Sequence, residues 1–211
     1  MSVAIAPVKF SPPPVAQEDV ARADMYALIA RLFYAPDAQL LKAIADADEI
    51  IPENDNASLA HAWRALTAAA AVCDSDAVKE EYENIFIGVG KPDVMLFGSY
   101  YLAGFMMEKP LAQLREDLAK LGLARNDSIP EPEDHISALC DVMRYLITGD
   151  ENREVASIEE QKRFFSHHLQ TWHERFCEAV LNAEGANFYK HVTRFVKAFF
   201  EIEAESFDMV Y

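Results

Sequence analysis

The sequence predicts an all-α protein that folds as a single bundle of about nine to eleven helices. Apolar residues recur three and four positions apart along most of its 211 residues. No segment alternates apolar and polar residues between turn signals as a strand does, and no repeat of fixed period indicates a solenoid. With 51% hydrophobic and 11% aromatic residues, the chain can bury a full core. We expect one helical domain over residues 18–211, preceded by a flexible, proline-bearing arm over residues 1–17.

Three apolar stripes define the first predicted helices. Helical periodicity begins near Glu18 and ends at Pro36, because proline cannot continue a helix. Shorter stripes follow over residues 40–44 and 59–73. The alanine-rich flank of the third stripe favours close approach of a neighbouring helix.

The middle of the chain predicts a fourth helix and then the longest loop. Asp74 or Ser75 caps this helix, whose apolar residues continue through Ile85. Glycines and a proline cluster over residues 88–98, which is typical of an irregular connection. Helical periodicity resumes at Tyr100.

Four further helices are predicted in the second half of the chain. Leucines repeat after Pro110 until Gly122, a residue typical of a helix C-terminus. The next stripes cover residues 136–147, 157–180 and 188–202. We expect residues 157–180 to form one long helix.

Charge and cysteine content restrict the class of protein. Asp and Glu number 35 against 19 Lys and Arg, so the formal net charge is -16. Such a surface repels nucleic acid and anionic membranes and attracts basic partners. The three cysteines are widely spaced on apolar helical faces, which indicates reduced thiols. Neither a secretory signal nor a membrane-spanning stretch is recognisable, so we expect a cytoplasmic protein.

The segment IPEPEDHI, residues 129–136, combines three carboxylates with an imidazole at the start of a predicted helix. Helix chemistry alone favours a capping role, with Glu131 as N-cap, Pro132 as the first helical residue and Asp134 in the first turn. Glu131 and His135 would then meet at i,i+4 spacing. One acid is enough for a cap, so the other carboxylates leave a binding role open.

Metal and catalytic alternatives find little support in the sequence. A di-iron bundle needs Glu-x-x-His on two helices, and the chain contains no such motif. The segment GVGKPD at residues 88–93 lacks the spacing of a phosphate loop, and there is no Gly-x-Ser-x-Gly nucleophile motif. We therefore expect no catalytic residues, no metal and no enzymatic activity. A metal-binding helical protein remains an alternative.

A binding role accounts better for these features. The acidic segment stands near an aromatic and glycine-bearing loop, FGSYYLAGF at residues 97–105. Carboxylates bind guanidinium groups through charge-assisted hydrogen bonds, and an apolar groove binds a hydrophobic segment. The combination suits a peptide that carries arginines before an apolar stretch.

These residues resemble the TorD family of redox-enzyme maturation chaperones, which includes TorD, DmsD and the more distant NarJ type. The run Glu131-Pro132-Glu133-Asp134-His135 reproduces the family signature Glu-Pro-x-Asp-His. Further segments of the family follow in the expected order, namely Gly98-Ser99-Tyr100-Tyr101-Leu102, Pro110-Leu111, Leu121-Gly122-Leu123, His168-Leu169 with Trp172 and Phe176, and Phe188-Tyr189.

The resemblance implies a TorD-like, all-helical cytoplasmic chaperone without enzymatic activity. Such a chaperone binds the twin-arginine signal peptide, and often the body, of a molybdopterin oxidoreductase subunit until its cofactor is inserted. Carried over to this chain, the signal-peptide contacts are Glu131, Pro132, Asp134, His135, Phe97, Gly98, Tyr100 and Tyr101, with His168 and Trp172 as groove or core support. Asp134 and His135 are the leading contacts.

The resemblance leaves client, ligands and assembly open. The segment YYLAGFMMEKPLAQLR is similar to the corresponding segment of family members associated with formate dehydrogenase, so this enzyme is the expected client. Alternatives are a NarJ-like chaperone for a non-exported molybdoenzyme and a helical adaptor with another client. No resident cofactor is expected, and contact with guanine nucleotide or the molybdenum cofactor is implied by resemblance alone. The sequence leaves open whether the protein is a monomer or a helix-swapped homodimer.

Overall fold

The computed structural model describes residues 16–50, 57–88, 90–106, 108–125, 129–151 and 154–209. The prediction of an all-α bundle is confirmed, since the described residues form ten α-helices and no β-strand. Residues 1–15 of the predicted arm lie outside the described part, and the first helix begins at Gln17. The helices are α1 (Gln17–Leu32), α2 (Ala38–Ala45), α3 (Ala57–Val72), α4 (Ser75–Tyr82), α5 (Gly98–Ala103), α6 (Lys109–Lys120), α7 (Ile136–Thr148), α8 (Ile158–His168), α9 (His173–Asn182) and α10 (Phe188–Met209).

The core is built around α1 and α10. Helix α1 packs mainly against α7, and α10 packs against α3 and α9. The carbonyl groups at the C-terminus of α1 lack partners within the helix and accept hydrogen bonds from tyrosine hydroxyls instead. Tyr82 donates to the carbonyls of Phe33 and Tyr34, and Tyr189 donates to that of Leu32 at 2.7 Å. These bonds fix the end of α1 against two other helices.

The N-terminus of α10 is capped by a residue from α4. Glu81 accepts hydrogen bonds from the backbone N–H groups of Asn187, Phe188 and Tyr189 at 2.8, 3.0 and 2.8 Å. A carboxylate at a helix N-terminus satisfies unpaired donors and interacts favourably with the helix dipole. One side chain therefore joins two elements that are more than a hundred residues apart in sequence.

A buried ionic network joins α1 to α10. The Arg22 guanidinium donates to both carboxylate oxygens of Glu203, at 2.7 and 2.9 Å, and Tyr26 donates to Glu203 at 2.9 Å. Arg22 also donates to Asp19 and Gln161. Glu203 is 2% exposed, so its charge depends on these partners.

The predicted start of α7 was wrong. Neither Glu131 nor Pro132 begins the helix; the N-cap is His135, whose Nδ1 accepts from the N–H of Ser137. The preceding residues form a turn closed by a hydrogen bond from His135 N–H to the Pro132 carbonyl. The spacing predicted between Glu131 and His135 therefore does not apply, since it required a helix.

The prediction of one long helix over residues 157–180 was also wrong, because the structure has two helices there. Its start is confirmed, because Ser157 forms a capping box at the beginning of α8. Residues 169–172 then interrupt it, and α9 follows. The N–H groups of Leu169 and Gln170 both donate to the Phe165 carbonyl at 2.9 Å, so the helical ladder ends there.

Three other features of the fold bear on the sequence predictions. Cys73, Cys140 and Cys177 are free thiols, as predicted. Among the helices of the described ranges, none has the length and apolar character needed to cross a membrane. The apolar run of the fourth predicted helix continues past α4 in a π-helical turn, Glu83–Ile87.

Candidate functional site

The signature segment is bonded to the loop that precedes α5. Gly98 N–H donates to the Asp134 carbonyl, and Ile136 N–H donates to the Leu96 carbonyl, each at 2.9 Å. These two bonds form an isolated antiparallel bridge between Phe97 and His135. The two sequence segments predicted to act together therefore do lie side by side.

Asp134 is buried in this junction and is 4% exposed. Its Oδ2 accepts a hydrogen bond from the Ser99 N–H at 2.8 Å. Its Oδ1 and the hydroxyl of Ser99 have no hydrogen-bond partner among the described residues. The Asp134 side chain thus holds the start of α5 with one oxygen, while the other is unsatisfied.

His135 is a buried, neutral N-cap. Burial lowers the pKa of its imidazole from 6.5 to about 4, so the ring is uncharged near pH 7. Because Nδ1 accepts from Ser137 N–H, the proton of the neutral ring is on Nε2. The ring also packs edge-to-face on Phe97, with centroids 5.2 Å apart. His135 offers a neutral donor and an apolar edge rather than a cation.

The two glutamates of the segment differ in their pairing. Glu133 receives a bidentate pair of hydrogen bonds from Arg115, both at 2.9 Å. Glu131 is half-buried, and its Oε2 has no hydrogen-bond partner within the described part of the chain. Only one of these carboxylates is therefore saturated by protein donors.

An aromatic group lies behind Gly98. Tyr101 stacks on Trp172 with centroids 5.4 Å apart and an interplanar angle of 14°, and its hydroxyl donates to the Met95 carbonyl. Trp172 Nε1 donates to the His168 carbonyl at 2.6 Å. A Cβ atom at Gly98 would lie 2.9 Å from that nitrogen. The close approach of the tryptophan therefore requires glycine at position 98, and the Trp172 indole is held by the His168 carbonyl.

Two grooves flank the signature segment. The first, which we call the polar groove, has a volume of about 670 Å³ and lies between α5, α6 and α8. Its walls include Gly98, Asp134 and Trp172, together with His168, whose Nε2 lies 3.0 Å from Asp117 Oδ2. Basic side chains also reach it, so this groove presents both signs of charge.

The second groove, the apolar groove, has a volume of about 560 Å³ and lies between α1, α7, residues 123–125 and residues 129–135. Its apolar walls come from both helices and from the chain before the signature. They are formed by Ala30, Tyr34, Leu118, Leu123, Ile129, Ala138, Val142 and Tyr145. Glu131, Pro132 and His135 line the same groove, whereas Asp134 lines the polar one.

The predicted contacts are therefore distributed over two faces. Gly98 and Asp134 face the polar groove, and Glu131, Pro132 and His135 face the apolar groove. Tyr100 is half-buried and packs edge-to-face on Tyr101.

Sequence reasoning missed the α7 wall of the apolar groove. Val142 and Tyr145 lie off the core stripe of that helix, and their apolar character was the available signal.

Among the described residues, no three His, Cys, Asp or Glu side chains are grouped as metal ligands would be.

Comparison with known proteins agrees with the resemblance seen in the sequence. A family model described as nitrate reductase delta subunit matches residues 52–178. The chain is 27% identical over 132 residues to the chaperone protein TorD of Aliivibrio fischeri, covering 59% of this chain and 61% of that protein. It is 30% identical over 115 residues to a DmsD protein of Haemophilus influenzae assigned as a Tat proofreading chaperone, covering 54% and 53%.

A solved structure supports the fold over almost the whole chain. A protein of Archaeoglobus fulgidus assigned to redox enzyme maturation superposes with a TM-score of 0.55 at 20% identity, covering 93% of this chain and 97% of that one. The chain matches about three fifths of the length of its curated TorD relatives. The family model covers more than half of the chain, which confirms the predicted resemblance: the protein belongs to the nitrate reductase delta subunit family, that of the TorD- and DmsD-type maturation chaperones.

Proposed function

We propose that the protein is a cytoplasmic chaperone that binds the twin-arginine signal peptide of a molybdopterin oxidoreductase subunit and supports cofactor insertion before export. Family membership supports a role in redox-enzyme maturation. The apolar groove is the observation that carries the proposal, because it joins apolar walls to the signature segment. A twin-arginine signal has the matching chemistry, a basic stretch followed by an apolar one.

The apolar groove has the size and chemistry for the hydrophobic part of such a peptide. Its volume of about 560 Å³ lies within the range of roughly 300–1,000 Å³ typical of ligand sites. Tyr34 and Ile129 at its edge are 48% and 41% exposed, so apolar surface is available for burial. Burial contributes about 25 cal/mol per Å² of apolar surface, which makes the groove the main source of affinity.

Charge at the edge of the apolar groove orients the peptide. Glu131 and Asp141 line the groove, and the net charge of -16 attracts a basic peptide from solution. Arg31 and Arg125 also line it, so one part of the edge disfavours arginine. In this proposal the peptide arginines bind at Glu131, and the apolar segment extends along α7.

Fluorescence anisotropy with a labelled synthetic peptide tests the proposal. The probe carries two adjacent arginines followed by about twelve apolar residues. Ala138→Phe fills the apolar groove, and Thr171→Phe adds the same ring to the polar groove. We expect the first variant to lose more than tenfold in affinity, and the second to stay within about twofold of wild type. Equal losses, or a wild type that does not bind, would contradict the proposal.

A NarJ-like role for a non-exported molybdoenzyme is the second candidate. It is favoured by the description of the matching family model, nitrate reductase delta subunit. Affinity capture from native cytoplasm, with bound proteins identified by mass, separates the two roles. We propose a signal-bearing formate dehydrogenase subunit as the client. Recovery of only a molybdoenzyme that lacks a twin-arginine signal would instead support the NarJ-like role.

A further inference from the structure

We propose that Glu131 is the carboxylate that receives a signal-peptide arginine, and that Asp134 is a positioning residue that does not touch the peptide. The inference rests on the proposed function and assigns roles within the same site. It reverses the roles expected from the family signature, in which Asp134 is the leading contact. The three acids of the segment differ in burial and pairing, and Asp134 lines the polar groove whereas Glu131 and Glu133 line the apolar one.

Asp134 has the environment of a structural residue. It is 4% exposed, and its Oδ2 is bonded to Ser99 N–H at 2.8 Å. It lines the polar groove, whereas its neighbour His135 lines the apolar one. An arginine approaching Asp134 through the polar groove would also meet Lys120 and Arg163, which carry the same charge. The carboxylate instead fixes the start of α5 relative to the signature.

Glu133 is already occupied by a protein guanidinium. Arg115 donates to both of its oxygens at 2.9 Å, which is the bidentate geometry that a peptide arginine would itself use. Binding at Glu133 would require this pair to be broken, with no net gain of hydrogen bonds. Glu133 therefore lines the apolar groove and contributes charge to it, but both of its oxygens are bonded to Arg115.

Of the three acids, only Glu131 both lines the apolar groove and has a buried oxygen without a donor among the described residues. Glu133 lines the same groove but is paired with Arg115, and the unpartnered Oδ1 of Asp134 belongs to the acid that lines the polar groove. The buried oxygen of Glu131 is Oε2.

Burial and, after it, the charge of Glu131 raise the pKa of Tyr82 to about 12. The Tyr82 hydroxyl donates to the carbonyls of Phe33 and Tyr34 rather than to Glu131. A buried carboxylate oxygen without a donor is costly, and a guanidinium would supply the missing donors.

Binding and stability measured together separate contact from positioning. The probe is the synthetic peptide with two adjacent arginines, compared with one in which both are lysine. Glu131→Gln keeps the side-chain shape and removes the charge, and Glu116→Gln removes an equal charge from an exposed position on α6. Asp134→Ala removes the bond to Ser99, while Asp134→Asn restores an acceptor for it.

We expect Glu131→Gln to weaken arginine-peptide binding about tenfold and to abolish the preference for arginine over lysine. Its melting temperature is expected to equal or exceed that of wild type, because an unpaired buried charge has been removed. Asp134→Ala is expected to lose affinity and stability together, and Asp134→Asn to regain both. Glu116→Gln is expected to bind within about twofold of wild type.

Two results would overturn the assignment. One is a Glu131→Gln variant that binds like wild type and still prefers arginine. The other is an Asp134→Asn variant that is stable but binds as weakly as Asp134→Ala. A wild type that binds neither peptide would refute the proposed function itself, and is thereby distinguishable from failure of the residue assignment.

Discussion

Replacement of Gly98 by alanine tests whether the site depends on close packing between α5 and Trp172. The added Cβ would lie 2.9 Å from Trp172 Nε1, closer than such contacts occur, and 3.1 Å from Cε2, closer than most of them. The indole cannot easily move, because it is 1% exposed, bonded to the His168 carbonyl and stacked on Tyr101. We therefore expect Gly98→Ala to destabilise the fold and to displace the tryptophan.

The expected change in the free energy of unfolding is the sum of two costs and one gain. Overpacking of a close-packed site costs about 1–3 kcal/mol, and loss of the indole hydrogen bond adds about 1 kcal/mol. Alanine regains roughly 0.5–1 kcal/mol of helix propensity over glycine. The net loss is about 1–3.5 kcal/mol, which lowers the melting temperature of a chain of this size by about 2–14 °C.

Thermal unfolding and tryptophan emission provide the assay. Emission is recorded in a Trp63→Phe background, which leaves Trp172 as the only tryptophan because the chain has two. Gly185→Ala is the matched control, since its Cβ would meet Ile85 at an ordinary 3.9 Å. In a Trp172→Phe background, Gly98→Ala is expected to cost less. A Gly98→Ala protein that melts within about 1 °C of wild type with unchanged emission would refute the reasoning.

Three further predictions concern stability. Glu81→Ala removes the cap of α10 and is expected to cost about 1–2 kcal/mol in urea unfolding, with Glu80→Ala as an exposed control. Glu203→Ala removes the buried carboxylate that pairs with Arg22 and leaves Arg22 only its bonds to Asp19 and Gln161, so it is expected to cost about 3 kcal/mol. Adding Arg22→Met to this variant is expected to restore part of that loss, and the absence of any recovery would contradict the reasoning. Because burial lowers the pKa of His135 from 6.5 to about 4, its contribution is complete above pH 6.5 and is lost as pH falls from 6.5 towards 4. His135→Asn keeps the capping acceptor without this titration, so its urea midpoint is expected to fall less between pH 6.5 and 4.5 than that of wild type.

Local chemistry made much of the fold predictable. Pro110 and Gly122 mark the ends of α6, and Ser157 begins α8 with a capping box, because these signals act within one helical turn. The α8–α9 break was missed because Leu169 and Trp172 are both buried and preserve the apolar period across it. No glycine or proline marks the interruption.

Long-range bonds explain why the start of α7 and the division of the site were not predictable. The carbonyl and carboxylate of Asp134 bind the N–H groups of Gly98 and Ser99, which are some 35 residues away. These contacts outweigh the local preference of Pro132 for a first helical position. The signature could be recognised in the sequence, but which acid faces which groove depends on this tertiary pairing.

The capping of α10 by Glu81 has a consequence for the order of folding. During synthesis α4 leaves the ribosome about a hundred residues before α10. The Glu81 carboxylate can therefore form its capping bonds only after the last helix has been synthesised. The start of the C-terminal helix is therefore completed late. If two copies exchanged their C-terminal helices, each Glu81 would bind the same amides on the other copy. Such a dimer would retain every capping bond of the monomer, and the length and rigidity of the intervening chain would determine which form prevails.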